Sequence, residues 1–302
     1  MSHANNSSSL ITEPWIIPFD VFTIVCPLFV ILPNLIFLFI ILLDRTCHTI
    51  PMILTANSCL AQVVLGSDLL IISGFTLYND LKQIHDHYYL CTFAGYLTYV
   101  TCAVLNYSFL LQAFYRYVTV VYPTRVFWQR KRNQLLFVGV TWAYALLFPL
   151  VFVFTGQIVY NADNQICQVP LKLSVSMMFA ALGVYVIPIV MTVVIYWKLV
   201  HYVHEMNQLT TSVNRITRAQ RELKMFRRTV TLLMILFVID FPYALFMFMS
   251  FFNRAPEYHF RIAYVFVDIA LACVTVALFQ FTDPLKQSIK QKLHFCLQIA
   301  VA

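Results

Sequence analysis

Polar and apolar positions along this chain do not alternate on the short period of a soluble protein; they separate into long blocks. Residues 21–43, 90–115, 133–162 and 173–197 contain no Asp, Glu, Lys or Arg. Each run is at least as long as the ~18 residues a helix needs to cross the hydrocarbon of a bilayer. Three further apolar blocks, 49–77, 229–252 and 262–282, each carry one acid, Asp68, Asp240 and Asp268 respectively, and are still long enough to span. The pattern predicts an all-α chain of seven transmembrane helices, with no repeat, linker or soluble domain.

Composition agrees, since a soluble globule with 61% hydrophobic and 11% charged residues in 302 positions would lack polar surface. Charge then sets an expected orientation. Of the 20 Lys and Arg residues, only Lys82, Lys172, Arg254 and Arg261 fall in one set of alternating loops; the other sixteen fall in the opposite set. The positive-inside rule puts the N-terminus outside and the C-terminus in the cytosol. The net charge of +7 is thereby concentrated on one membrane face, and no nucleic-acid partner is needed to explain it.

The N-terminus lacks the charged start, short apolar core and cleavage site of a removable signal. Asn5 and Asn6 both stand in Asn-x-Ser triplets, candidates for glycosylation on an exported tail. The eight cysteines sort by the same topology. Cys26, Cys59, Cys102 and Cys273 lie within spans, while Cys47 and Cys296 face the reducing side. Cys91 and Cys167 face the oxidising side, the right number for one bridge.

Arg116 ends the uncharged run 90–115, in the stretch QAFYRYVTVVYP at 112–123. An arginine at that depth either snorkels to the headgroups or is kept for a partner. It stands 25 residues after Cys91, at the end of the third span. The triplet Tyr115-Arg116-Tyr117 and the residues up to Pro123 resemble the Asp-Arg-Tyr region of rhodopsin-like G-protein-coupled receptors. The likeness continues along residues 17–297: Asn34 in LPNL, Trp142 in GVTWAY, Pro188 followed eight residues later by Tyr196, Pro242 in VIDFPY, and Cys91 with Cys167 as the bridge. Several positions depart from the family pattern. Gln62 replaces the sodium-binding Asp, Asp240 replaces the Trp of Cys-Trp-x-Pro, and Asn-Pro-x-x-Tyr is missing, with Thr275–Phe279 in its place. Tyr115 replaces the acid that would restrain Arg116.

The resemblance implies a plasma-membrane receptor for an extracellular ligand, coupled to a heterotrimeric G protein. It divides the chain into an extracellular tail (1–16), a seven-helix receptor domain (17–282) and a short cytoplasmic amphipathic eighth helix with tail (283–302). Arg116, Tyr117, Pro123 and Tyr196 would face the G protein, and Pro188 and Pro242 would kink the moving helices. The residues Leu285, Ile289, Leu293 and Cys296 form a stripe suited to lipid contact, with Cys296 a palmitoylation candidate.

The three buried acids carry the remaining chemistry, because a carboxylate in mid-bilayer costs at least ~2.5 kcal/mol on insertion scales. Asp240 and Asp268 are expected to face the bundle interior, either receiving a cationic ligand or making structural hydrogen bonds. Asp68, Thr98 and Cys102 are further pocket candidates; Thr98 occupies the position at which aminergic receptors carry an acid. The rival reading is a transporter or channel using Asp68, Asp240 and Asp268, against which no paired repeats are visible. No catalytic motif, metal-ligand set or cofactor motif is present, His85 and His87 stand without further ligands, and 262–282 holds no lysine to carry retinal.

Overall fold

A computed structural model describes residues 16–44, 48–82, 90–171, 174–208, 234, 241–252, 254, 256 and 258–281. The bundle helices are the first (Ile16–Leu43), second (Ile50–Lys82) and third (Cys91–Val121), then a fourth made of Lys131–Leu147 and Leu150–Phe154. The fifth starts as Val175–Ala181, passes through a π turn at Leu182–Val186 and continues as Ile187–Gln208. The sixth is described over Phe241–Phe251 and the seventh over His259–Phe281. Six of these are long and apolar enough to cross a membrane.

Side chains are sorted as a bilayer requires. Asn34, Gln62, Asp68, Asp268 and Thr275 are at most 2% exposed, whereas Leu32, Phe39 and Leu42 are 60–73% exposed on the outer face. Polar groups that would be stranded in lipid therefore meet one another inside. Asn34 Nδ2 donates to Thr275 Oγ1 at 3.0 Å, and Thr275 Oγ1 donates to Gln62 Oε1 at 2.9 Å, tying the first, second and seventh helices. Trp142 Nε1 donates to Asn57 Oδ1 at 2.8 Å, and Asn57 Nδ2 donates to Ser108 Oγ at 2.6 Å, tying the fourth, second and third.

The fourth helix stops earlier than the uncharged block suggests. At Gly156 the chain takes φ +65°, a conformation that glycine alone adopts without strain. Val159–Asn161 then pairs antiparallel with Ile166–Gln168, Tyr160 opposite Cys167. Residues 155–162 carry no charge, yet they form a largely solvent-facing turn and strand in which Ile158 is the buried residue. Cys167 bonds to Cys91, Cα atoms 5.4 Å apart, which lays this hairpin over the start of the third helix.

In the fifth helix, Pro188 has no N–H to donate to Val184 O. Ile187 N–H bonds to Leu182 O instead of Gly183 O, so two consecutive carbonyls lose their helical donors. Side chains supply the replacements: Asn106 Nδ2 reaches Val184 O at 3.1 Å, while the Tyr107 and Tyr144 hydroxyls reach Gly183 O at 3.2 and 3.4 Å. A Cβ at Gly183 would run into the Phe148 ring, so only glycine permits this approach.

Arg261, counted above with the loop charges, is instead buried at 5% exposure in the first turn of the seventh helix. Its Nη2 donates to Asp80 Oδ1 at 3.2 Å, and its Nη1 lies 3.6 Å from Asp20 Oδ1. Gln165 of the hairpin donates to the same Asp80 oxygen at 2.6 Å. Asn164 Oδ1 accepts from the N–H groups of Phe260 and Arg261 at 3.1 and 3.3 Å, satisfying donors that a helix start leaves unpaired. One hairpin turn thus fastens the bridged ends of the second and seventh helices.

Two outcomes test this end of the bundle. Cys91→Ala and Cys167→Ala should each lower stability by about 2–4 kcal/mol, and the double variant should be no worse than either single one, as read by thermal melting of the purified protein. Arg261→Gln leaves Asp20 and Asp80 facing each other without a cation and should cost roughly 3–5 kcal/mol. Combining Asp20→Asn and Asp80→Asn with it should recover part of that loss.

Candidate functional site

Between the second, third, fifth, sixth and seventh helices, close to the bridged end, lies a cavity of about 380 Å³, within the range of small-molecule sites. Its position follows from the elements around it. The hairpin, held down by the Cys91–Cys167 bond, contributes Gln168, the residue after the disulfide. The π turn widens the fifth helix locally and contributes Tyr185 and Val186. Phe241 and Ala244 come from the sixth helix, and Tyr264, Val267 and Leu271 from the seventh. The described lining is mainly aliphatic and aromatic, with polar side chains at Thr98, Asn106 and Gln168 and the hydroxyl-bearing Tyr99, Tyr185 and Tyr264. Gln168 Nε2 donates to the Tyr264 hydroxyl, closing the hairpin onto the seventh helix.

Of the residues assigned to a pocket from sequence, Thr98 and Cys102 line this cavity. Asp68 stands behind Thr98: Thr98 Oγ1 lies 2.6 Å from Asp68 Oδ2, and the acid is 2% exposed and not among the described lining residues. Asp268, at 1% exposure, is likewise off the described lining. It sits on the stripe of the seventh helix that runs from Arg261 through Tyr264 to Thr275, residues spaced three, four and seven apart. Asp240 lies outside the described residues, as do Asn5, Asn6, Cys296, His85, His87 and the expected eighth helix at 283–302. The described walls therefore bring together apolar groups and neutral hydrogen-bonding groups.

At the other end of the third helix, Arg116 is half-buried. It is 18 residues beyond Thr98, ~27 Å along a helix axis. Tyr117 and Tyr196 pack against one small cluster of Ala113, Leu199 and Val203, joining the third and fifth helices there. Pro123 is exposed in the turn after Val121. Pro242 is the second described residue of the sixth helix. Among the described residues no group of His, Cys, Asp and Glu could hold a metal ion.

Asn106, Gln168 and Tyr264 were not singled out from sequence. Pro188 announces a freed carbonyl four residues earlier, but nothing in the linear pattern says which neighbouring helix answers it. Gln168 had a better signal, since any residue adjacent to the bridging Cys167 is held near the third helix.

Comparison with known proteins bears on the family. A family profile described as 7 transmembrane receptor (rhodopsin family) matches residues 33–283. A search of curated proteins found no match. Among solved structures, the crystal structure of squid rhodopsin superposes with a TM-score of 0.75 at 12% identity, over 93% of this chain and 85% of that one, a likeness of fold. The described seventh helix nevertheless contains no lysine. With a profile match over most of its length, seven bundle helices and the hairpin bridged to the third of them, this chain belongs to the rhodopsin family of seven-transmembrane receptors.

Proposed function

We propose that the chain is a plasma-membrane receptor that binds an extracellular ligand in the cavity beneath the bridged hairpin and activates a heterotrimeric G protein at the Arg116 end. The observation that carries this reading is the pairing of a roofed cavity at one end of the third helix with a half-buried arginine at the other. The third helix links them, so a ligand that shifts the fifth or sixth helix against it changes the surroundings of Arg116. The positive-inside count supports an external cavity and a cytosolic Arg116. Tyr117 and Tyr196 line the same end, and with Pro123 they form the surface a G protein would meet. The described lining, which holds no charged side chain, favours a neutral ligand over a cation, and family membership favours a receptor over a transporter.

Nucleotide exchange on a panel of G proteins, in membranes carrying the chain, tests the proposal. Exchange above that of control membranes is expected from at least one class, and Arg116→Ala should abolish it while leaving surface expression intact. If the guanidinium only reaches headgroups, Arg116→Lys will keep full activity, because lysine snorkels equally well. Tyr115→Asp supplies the missing restraint on Arg116 and should lower basal exchange; an unchanged basal rate would remove that part of the reading.

A further inference from the structure

We infer that the cavity takes a neutral, mostly apolar molecule that donates a hydrogen bond from each of its two ends, as a rigid diol does. This rests on the cavity being the ligand site. Thr98, Cys102 and Asn106 all line it from the third helix, spaced four apart and so on one face. The two outer members are separated by two turns, ~12 Å along the axis.

Both outer members can only accept. Asn106 Nδ2 is committed to Val184 O at 3.1 Å, and because that partner is a carbonyl the amide cannot be turned round. Its Oδ1, with no partner among the described residues, is the atom left for the cavity. Thr98 Oγ1 lies 2.6 Å from Asp68 Oδ2 and 3.0 Å from Ala94 O. A hydroxyl has one proton. Either Thr98 gives it to Asp68, or it gives it to Ala94 O and receives one from a protonated Asp68. In both arrangements no proton remains for a ligand, and a lone pair does.

The consequences for a ligand follow from what these atoms cannot do. A carboxylate, phosphate or ketone lying along the third helix would set acceptor against acceptor at both Thr98 and Asn106. No Lys or Arg is among the described lining residues to receive an anion, and no Asp or Glu to receive a cation. The apolar walls between the two acceptors, including Leu65, Leu69, Ile189 and Leu271, take the body of the molecule.

Androstanediol and androstanedione share one rigid apolar framework and differ in donating or only accepting at its two ends, and tryptamine supplies a cationic comparison. Binding is read from the melting temperature of the full chain in lipid nanodiscs, which a ligand specific for the folded state raises with concentration. The diol should bind, the dione should bind about a hundredfold more weakly for two lost hydrogen bonds, and tryptamine should give no shift. Thr98→Val should weaken the diol about tenfold and Thr98→Ser should restore it. Should Thr98→Val fail to fold, the ratio of diol to dione on the unaltered chain decides alone. Equal binding of dione and diol, no binding of the diol, or a shift with tryptamine alone overturns the inference. Nucleotide exchange measured alongside separates the two readings: a diol that binds without exchange counts against coupling only, while exchange driven by the amine counts against the ligand class only.

Discussion

A carbonyl freed inside a bilayer has no water to accept from, so every break in a transmembrane helix must be answered by another part of the protein. In this chain the break at Pro188 leaves Val184 O and Gly183 O without helical donors, and Asn106, Tyr107 and Tyr144 supply them. Much of the interior is arranged around that repair. It fixes the third, fourth and fifth helices at one level, it requires glycine at 183 so that Phe148 can approach, and it consumes the donor half of Asn106. The cavity next to it inherits the other half.

The same constraint explains the polar content of the core. Asn57 serves Trp142 and Ser108, Asn34 and Gln62 share Thr275, and Thr98 serves Asp68. None of these groups is exposed to lipid, and together they cross-link the helices at successive levels. At the bridged end the scale changes from neutral bonds to charge. Arg261 lies against Asp20 and Asp80, an arrangement whose strength is geometric: a buried pair contributes little net stability, yet removing one member is costly.

Much of this fold was readable in the sequence, because length without charge is a direct consequence of the hydrocarbon thickness. The bridge between Cys91 and Cys167 followed from topology. The places where reading stopped have physical reasons. The block 133–162 hid a turn at Gly156, since the exposed turn and first hairpin strand at 155–162 are built from uncharged residues and so continue the apolar run without a break in charge. Arg261 was counted as a loop charge because burial of a cation depends on two acids from other helices. Asp268 is expected to face the bundle interior, either receiving a cation or making hydrogen bonds; an acid in an apolar span signals the interior but not which part of it, and the assembled bundle buries Asp268 off the described cavity wall.

The π turn has one more effect, on counting. With 100° per residue, the buried positions Met177, Ala180, Leu199 and Val203 would spread over about 140° of an unbroken helix. Letting one residue bulge out at Leu182–Val186 draws the same four into roughly 60°. The turn therefore works as a phase correction that lets both halves of a long helix face the same neighbour despite a surplus residue. A relative one residue shorter here would present the same face with its backbone ladder intact, and residue-by-residue comparison across this segment must allow for a gap that the three-dimensional fold does not feel.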